Sequence, residues 1–167
     1  SGTAVLYLGK GNNAGDALVA GRELSRHGWQ LAARLSCEPD QFKELPREHW
    51  EMLQPLVQRW DSGAPATHAR GPMVLLDGLL GIGASGAMKG TLRELAAEMN
   101  ALRSELHATT IAMDIPSGLD GDTGVPGEDA VVADVTATGA QVKGGLLADA
   151  ATHHVGRLAL VPRDELR

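Results

Sequence analysis

Apolar runs with β-branched members recur along the chain at residues 4–8 (AVLYL), 30–35 (QLAARL), 73–77 (MVLLD), 109–115 (TTIAMDI), 130–138 (AVVADVTAT) and 157–161 (RLALV). Several are apolar at successive positions instead of alternating, the pattern of strands covered on both faces. Helical periodicity falls between the early runs. Residues 16–27 set Leu18, Val19, Arg22 and Leu24 at roughly helical spacing and stop before Gly28, a natural C-terminal cap. Residues 47–60 and 90–106 repeat the pattern, the second with Leu92, Leu95, Ala96, Met99 and Leu102 on one stripe. This alternation predicts one α/β domain over residues 1–167, with a mostly parallel sheet and helices on both faces. Residues 61–72 read as a solvated connection.

In such sheets ligands bind beyond the carboxyl ends of the strands, and three unusual loops begin there. In GKGNNAGD (9–16), Gly9, Gly11 and Ala14 satisfy the dinucleotide pattern G-x-G-x-x-G/A, with Glu38 where a ribose-binding acid could sit. A helix starting near Ala14 would offer free N–H groups to a phosphate. Equally, Asn12 and Asn13 could simply satisfy the backbone of a capped turn. Asp16 puts negative charge beside that phosphate, which counts against an ordinary dinucleotide turn. The second loop opens with Asp77 at a strand end and carries Gly81, Gly83, Ser85 and Gly86, a segment for cradling phosphate or a mobile surface loop. The third, MDIPSGLDGDTG, opens with Asp114; Pro116 then fixes the backbone so that Ser117 and Gly118 turn sharply. It runs helix-free from about 114 to 130, a length uncommon unless functional.

Composition narrows the chemistry. No run approaches the ~20 apolar residues of a membrane span, and the N-terminus reads as a strand, not a signal peptide. Cys37 is the single cysteine, so a disulfide framework is excluded and a thiolate zinc site disfavoured. The net charge of −6 with scattered basic residues argues against nucleic acid. A soluble, cytoplasmic protein acting on a small molecule is expected. Ser117 lacks the G-x-S-x-G setting and an activating histidine. Asp120 and Asp122 read as turn formers, because the rest of a calcium loop is missing. What remains is an oxygen set, Asn13, Asp77 and Ser117, with a further carboxylate from Asp114. Such a set suits a large, weakly polarising monovalent cation better than a transition metal.

The segments GNNAGDALVAGRELSRHGW, LLDGLLGIG, AMDIPSGLDGDTG and ADVTATGAQVKGGLL, in this order and spacing, resemble the NAD(P)H-hydrate epimerases over nearly the whole chain. The resemblance implies a Rossmann-like three-layer sandwich that interconverts the R and S forms of NADHX and NADPHX, reduced cofactors hydrated on the nicotinamide ring. It implies substrate contacts at Asn12, Asn13, Ala14, Gly15 and Asp16, at Gly81, Ile82, Gly83, Ala84, Ser85, Gly86 and Ala87, and at Asp114. It also implies a potassium ion on Asn13, Asp77 and Ser117. Epimerisation must break the C–O bond at the hydrated carbon and re-form it on the other face, and Asp114 is the expected acid/base. Thr136 and Lys143 are expected to shape the floor of the site. The family pattern has glycine where Ala14 stands and commonly alanine at Gly78, where glycine adds flexibility. A helical segment normally precedes the first strand; its absence here points to a fragment. A homodimer, and fusion to an ATP- or ADP-dependent NAD(P)H-hydrate dehydratase, are also implied. The competing readings are a non-catalytic dimerising scaffold of the same fold and a conventional NAD-binding oxidoreductase domain.

Overall fold

The computed structural model describes residues 1–81, 87–139 and 142–161. Strand β1 (Thr3–Leu8) is buried at every position because parallel neighbours flank it on both sides, β2 (Gln30–Leu35) and β4 (Met73–Gly78). Further strands β3 (Val57–Arg59), β5 (Thr109–Met113), β6 (Val135–Thr138) and β7 (Arg157–Leu160) complete a sheet ordered β3-β2-β1-β4-β5-β6-β7. Every pairing within it is parallel.

The two faces of β1 build two cores. Ala4, Leu6 and Leu8 pack with Ala14, Ala17 and Leu18 of α1 (Asn12–Arg26) and with Trp50 and Leu53 of α2 (Glu44–Leu53). Val5 and Tyr7 face the predicted stripe Leu95, Ala96, Met99 and Leu102 on α4 (Gly90–Leu106). The result is a three-layer α/β sandwich. One polar network crosses the second interface: the Glu98 carboxylate of α4 accepts from the Tyr7 hydroxyl at 2.7 Å and from Arg34 of β2 at 2.8 and 2.9 Å. Burial, with Glu98 adding to it, pushes the Tyr7 phenol far above its ordinary value.

Three elements differ from the sequence expectation. The helix expected over 47–60 runs Glu44–Leu53, yields to a 3-10 turn at Gln54–Leu56, and is followed by strand β3. Pro55 explains the break, since it lacks the N–H and clashes with the preceding turn. The connection at 61–72 contains a short helix, α3 (Ala64–His68). The run at 130–138 is a strand only from Val135. Its first half is buried but bonded sideways, Val131 N–H to the Ser117 carbonyl and Ala133 N–H to that of His154. His154 lies in α5 (Thr152–Val155), a single turn.

Asn100 of α4 holds that segment in place. Its amide donates to the Ala130 carbonyl at 3.0 Å and accepts from the Val132 N–H at 2.8 Å. Asn100→Ala leaves both backbone groups unpaired and is expected to cost about 1–3 kcal/mol. Thermal denaturation checks this, and an unchanged midpoint would refute the bracing role. Among the described residues no helix is long and apolar enough to cross a membrane.

Candidate functional site

The order of the strands reverses between β1 and β4, and the loops following these two strands meet there. Gly9 N–H donates to the Gly78 carbonyl at 3.0 Å. A Cβ on Gly9 would lie 1.8 Å from the Leu79 carbonyl oxygen, so the two loops touch at a point only glycine permits. Gly78 is fitted as tightly. A Cβ there would lie 2.7 Å from the Cβ of Ala17 and 3.0 Å from the Asn13 carbonyl oxygen, so its glycine provides room for α1, not the flexibility expected.

Helix α1 starts at Asn12, earlier than the expected Ala14, after the extended Gly11, and no side chain caps it. Asn12 and Asp16 are open to solvent, whereas Asn13 turns inward and is 6 % exposed. Ala14 and Gly15 are buried on the inner side of α1, Ala14 in the core and Gly15 facing His49 and Pro46 of α2. Burial, then the negative charge of Asp114, pushes the Asp16 carboxyl above its ordinary value.

Asp77, Ser117 and Asn13 converge on the backbone of Leu79 and Leu80. Asp77 is the next-to-last residue of β4 and is fully buried. Its carboxylate accepts from the Ser117 hydroxyl at 2.6 Å, the Ser117 N–H at 2.7 Å and the Leu79 N–H at 3.3 Å. The Ser117 oxygen accepts from the Leu80 N–H at 2.9 Å, and the Asn13 amide donates to the Leu80 carbonyl at 2.8 Å. All of these partners are neutral. Burial therefore pushes the Asp77 carboxyl up to about 6, against the pull of those hydrogen bonds. An amide oxygen, a hydroxyl, a carbonyl and one buried carboxylate without a countercharge match the needs of an alkali cation. The residues present fit potassium.

Asp114 follows β5 at φ +68°, a conformation non-glycine residues rarely adopt. The Ile115 N–H donates to the Met113 carbonyl at 2.8 Å, closing a three-residue turn centred on Asp114. Strain of this kind persists only where its surroundings enforce it, and it gathers at functional sites. Here the enforcement comes from β6, whose Ala137 carbonyl accepts from the Asp114 N–H at 2.7 Å. The carboxylate accepts from the Thr138 hydroxyl at 3.1 Å and pairs with the Lys143 ammonium, which also donates to Thr138 at 3.2 Å. Lys143 thus sits directly on Asp114, closer than the floor position expected. Thr136 does not reach the site: it is fully buried and donates to the Val155 carbonyl at 2.8 Å.

A cleft of about 900 Å³ joins these parts, with Gly11, Asn12, Asn13, Asp16, Gly81 and Asp114 on its walls. Its far wall was not foreseen: Ser36 and Cys37 after β2, with Lys10, Gln41 and Lys43 around them. Their only signal in the sequence is their place after a strand. Glu38, the candidate ribose acid, is instead exposed and held by Arg59 at 2.9 and 3.1 Å. Ala87 is exposed and is not among the lining residues, whereas Ile82, Gly83, Ala84, Ser85 and Gly86 lie outside the described residues.

Comparison with known proteins adds an independent line. Residues 2–145 match the family described as YjeF-related protein N-terminus. The chain is 32 % identical over 142 residues to the NAD(P)H-hydrate epimerase of Cenarchaeum symbiosum (strain A), covering 84 % of this chain and 65 % of that protein. It is 34 % identical over 171 residues to the bifunctional NAD(P)H-hydrate repair enzyme Nnr of Pyrobaculum aerophilum, covering 95 % of this chain and 32 % of that one. It therefore spans just under two thirds of the first relative and about a third of the second. The crystal structure of yeast ynu0 superimposes with a TM-score of 0.70 at 18 % identity, over 97 % of this chain and 68 % of that one, which establishes the shared fold.

Proposed function

Because the chain belongs to the YjeF-related N-terminal family, we propose that it is an isomerase that interconverts the R and S epimers of hydrated NADH and NADPH. The observation that carries this reading is the cleft itself. Its walls combine a strained, solvent-reachable carboxylate, an uncapped helix N-terminus, and Asn13 and Leu80 from the buried oxygen cluster. Its volume lies within the range of small-molecule sites, about 300–1,000 Å³.

The chemistry follows from the substrate. The hydroxyl on the hydrated ring carbon departs as water once protonated, and the ring nitrogen's lone pair stabilises the cation left behind. The Lys143–Asp114 pair carries one transferable proton, which Asp114 passes to the departing hydroxyl and takes back when water adds to the opposite face, so nothing is consumed. Lys143 and Thr138 fix the carboxylate and keep its partners in place between the two half-reactions. The first-turn N–H groups of α1 face the diphosphate, as helix N-termini do for anions. Asn13, Asp77 and Ser117, with the Leu80 carbonyl, would hold potassium, which would supply the positive charge that lets the buried Asp77 stay ionised. Incubation with purified R-NADHX, followed by chromatography of the epimer ratio, tests the reading. Relaxation toward the mixed epimers faster than a protein-free control is expected, and identical traces would refute it.

A further inference from the structure

Resting on that reading of the cleft, we propose that its β2 end is a binding site for a 2′-phosphate, which makes NADPHX the preferred substrate. The sheet dictates which half of the nucleotide lies where. With the reacting ring at Asp114, after β5, and the diphosphate at the start of α1, after β1, the adenosine half extends over the end of β2. In dinucleotide folds that position reads the adenosine ribose: an acid there hydrogen-bonds a free 2′-hydroxyl, and a cationic side chain accepts a 2′-phosphate.

This chain has the cationic arrangement. The acid that could serve a free ribose, Glu38, is engaged by Arg59 and is not among the cleft's lining residues. Lys10 and Lys43 do line it, and their backbones are joined, Lys43 N–H donating to the Lys10 carbonyl at 2.9 Å. The Ser36 N–H donates to the Leu8 carbonyl at 3.0 Å, which ties the β2 end to the end of β1, and Ser36 lines the cleft with both lysines. Both side chains are exposed, and among the described residues neither has a carboxylate within 4.0 Å. The chain as a whole is acidic, at −6, yet the cleft differs in sign along its length: Asp16 and Asp114, with Lys143 paired to the latter, leave the ring end net negative, and two ammonium groups lie at the other. That division mirrors a substrate whose ring becomes cationic and whose adenosine carries a dianion.

Calorimetric titration of the whole chain with 2′,5′-ADP and with 5′-AMP isolates this end of the site. Tighter binding of 2′,5′-ADP by about tenfold at low salt, shrinking as salt is raised, is expected for exposed charges. The Lys10→Ala/Lys43→Ala double variant should bind the two alike, and Lys43→Arg should keep the preference. In turnover, the ratio of kcat/KM for NADPHX over NADHX should fall from about ten to about one in the double variant, with the loss in KM. Equal binding of the two adenosine nucleotides by the unaltered chain would overturn the proposal. So would a double variant weakened equally toward NADHX and NADPHX, which would assign the lysines to the diphosphate. A chain that prefers 2′,5′-ADP but epimerises neither substrate would leave this site standing and sink the catalytic reading instead.

Discussion

Asp114→Asn is expected to slow epimerisation by about 10²–10⁴-fold, the usual contribution of a positioned acid/base, while nucleotide affinity stays within a few-fold. Asparagine is the informative replacement because of the backbone. Residue 114 sits at φ +68°, which Asn tolerates and Ala does not, so Asp114→Ala would mix lost chemistry with lost loop geometry. The amide oxygen still accepts from Thr138 and from Lys143, which keeps the positioning contacts. What it lacks is a proton to give. The variant should therefore lose kcat with KM little changed, the signature of an interaction made in the transition state. Epimer chromatography over a range of NADHX concentrations gives both, and calorimetric titration with NADP⁺ checks that nucleotide affinity is kept. Turnover near that of the unaltered chain would remove Asp114 from the mechanism and leave Lys143 as the proton source.

The sequence revealed the sheet more fully than the site. β1, β4 and β5 are nearly continuous apolar runs because both faces are covered, and such runs stand out without any partner being known. β3 is short, lies at an edge and reads VQR, so its three residues carry no apolar signature and only the parallel partner β2 defines them. The loops were legible as loops, since their glycines mark close approach: Gly9 against Leu79, Gly78 against Ala17. The meeting of Asn13, Asp77 and Ser117 around Leu80 depends on the crossing of loops far apart in sequence, which composition alone does not encode. Lys143 was underrated for the same reason. It reaches Asp114 only because β6 lies beside β5 in parallel register. Lys10 and Lys43 belong to different loops, and a single backbone hydrogen bond makes them neighbours.

Exchanging potassium for tetramethylammonium, an ion too large for a cluster of crossed loops, is expected to lower both stability and turnover, and the size of the effect follows from Asp77. Burial raises its carboxyl from 3.8 to about 6 in the folded chain without the ion. The folded state then holds that proton more tightly than the unfolded state, so stability falls as pH rises through the window from about 4 to 6. Above the window the ionised, uncompensated carboxylate costs about 3 kcal/mol, at 1.36 kcal/mol per pKa unit. A bound alkali ion removes most of that cost. At pH 7.5 the unfolding midpoint in potassium should exceed that in tetramethylammonium at equal ionic strength by several degrees, ~2–4 °C for each kcal/mol the ion removes. At pH 5, where Asp77 takes up its proton instead, the gap should shrink. Asp77→Asn separates charge from packing. Its amide can accept from the Ser117 N–H and donate to the Ser117 hydroxyl, whose own proton turns to the Leu80 carbonyl 3.3 Å away, and only the long 3.3 Å contact from the Leu79 N–H is lost. That variant should fold with one midpoint in both salts and have lost the potassium requirement together with most of its activity. Equal midpoints and equal turnover of the unaltered chain in the two salts would show that Asp77 is compensated in some other way and that the oxygen cluster holds no ion.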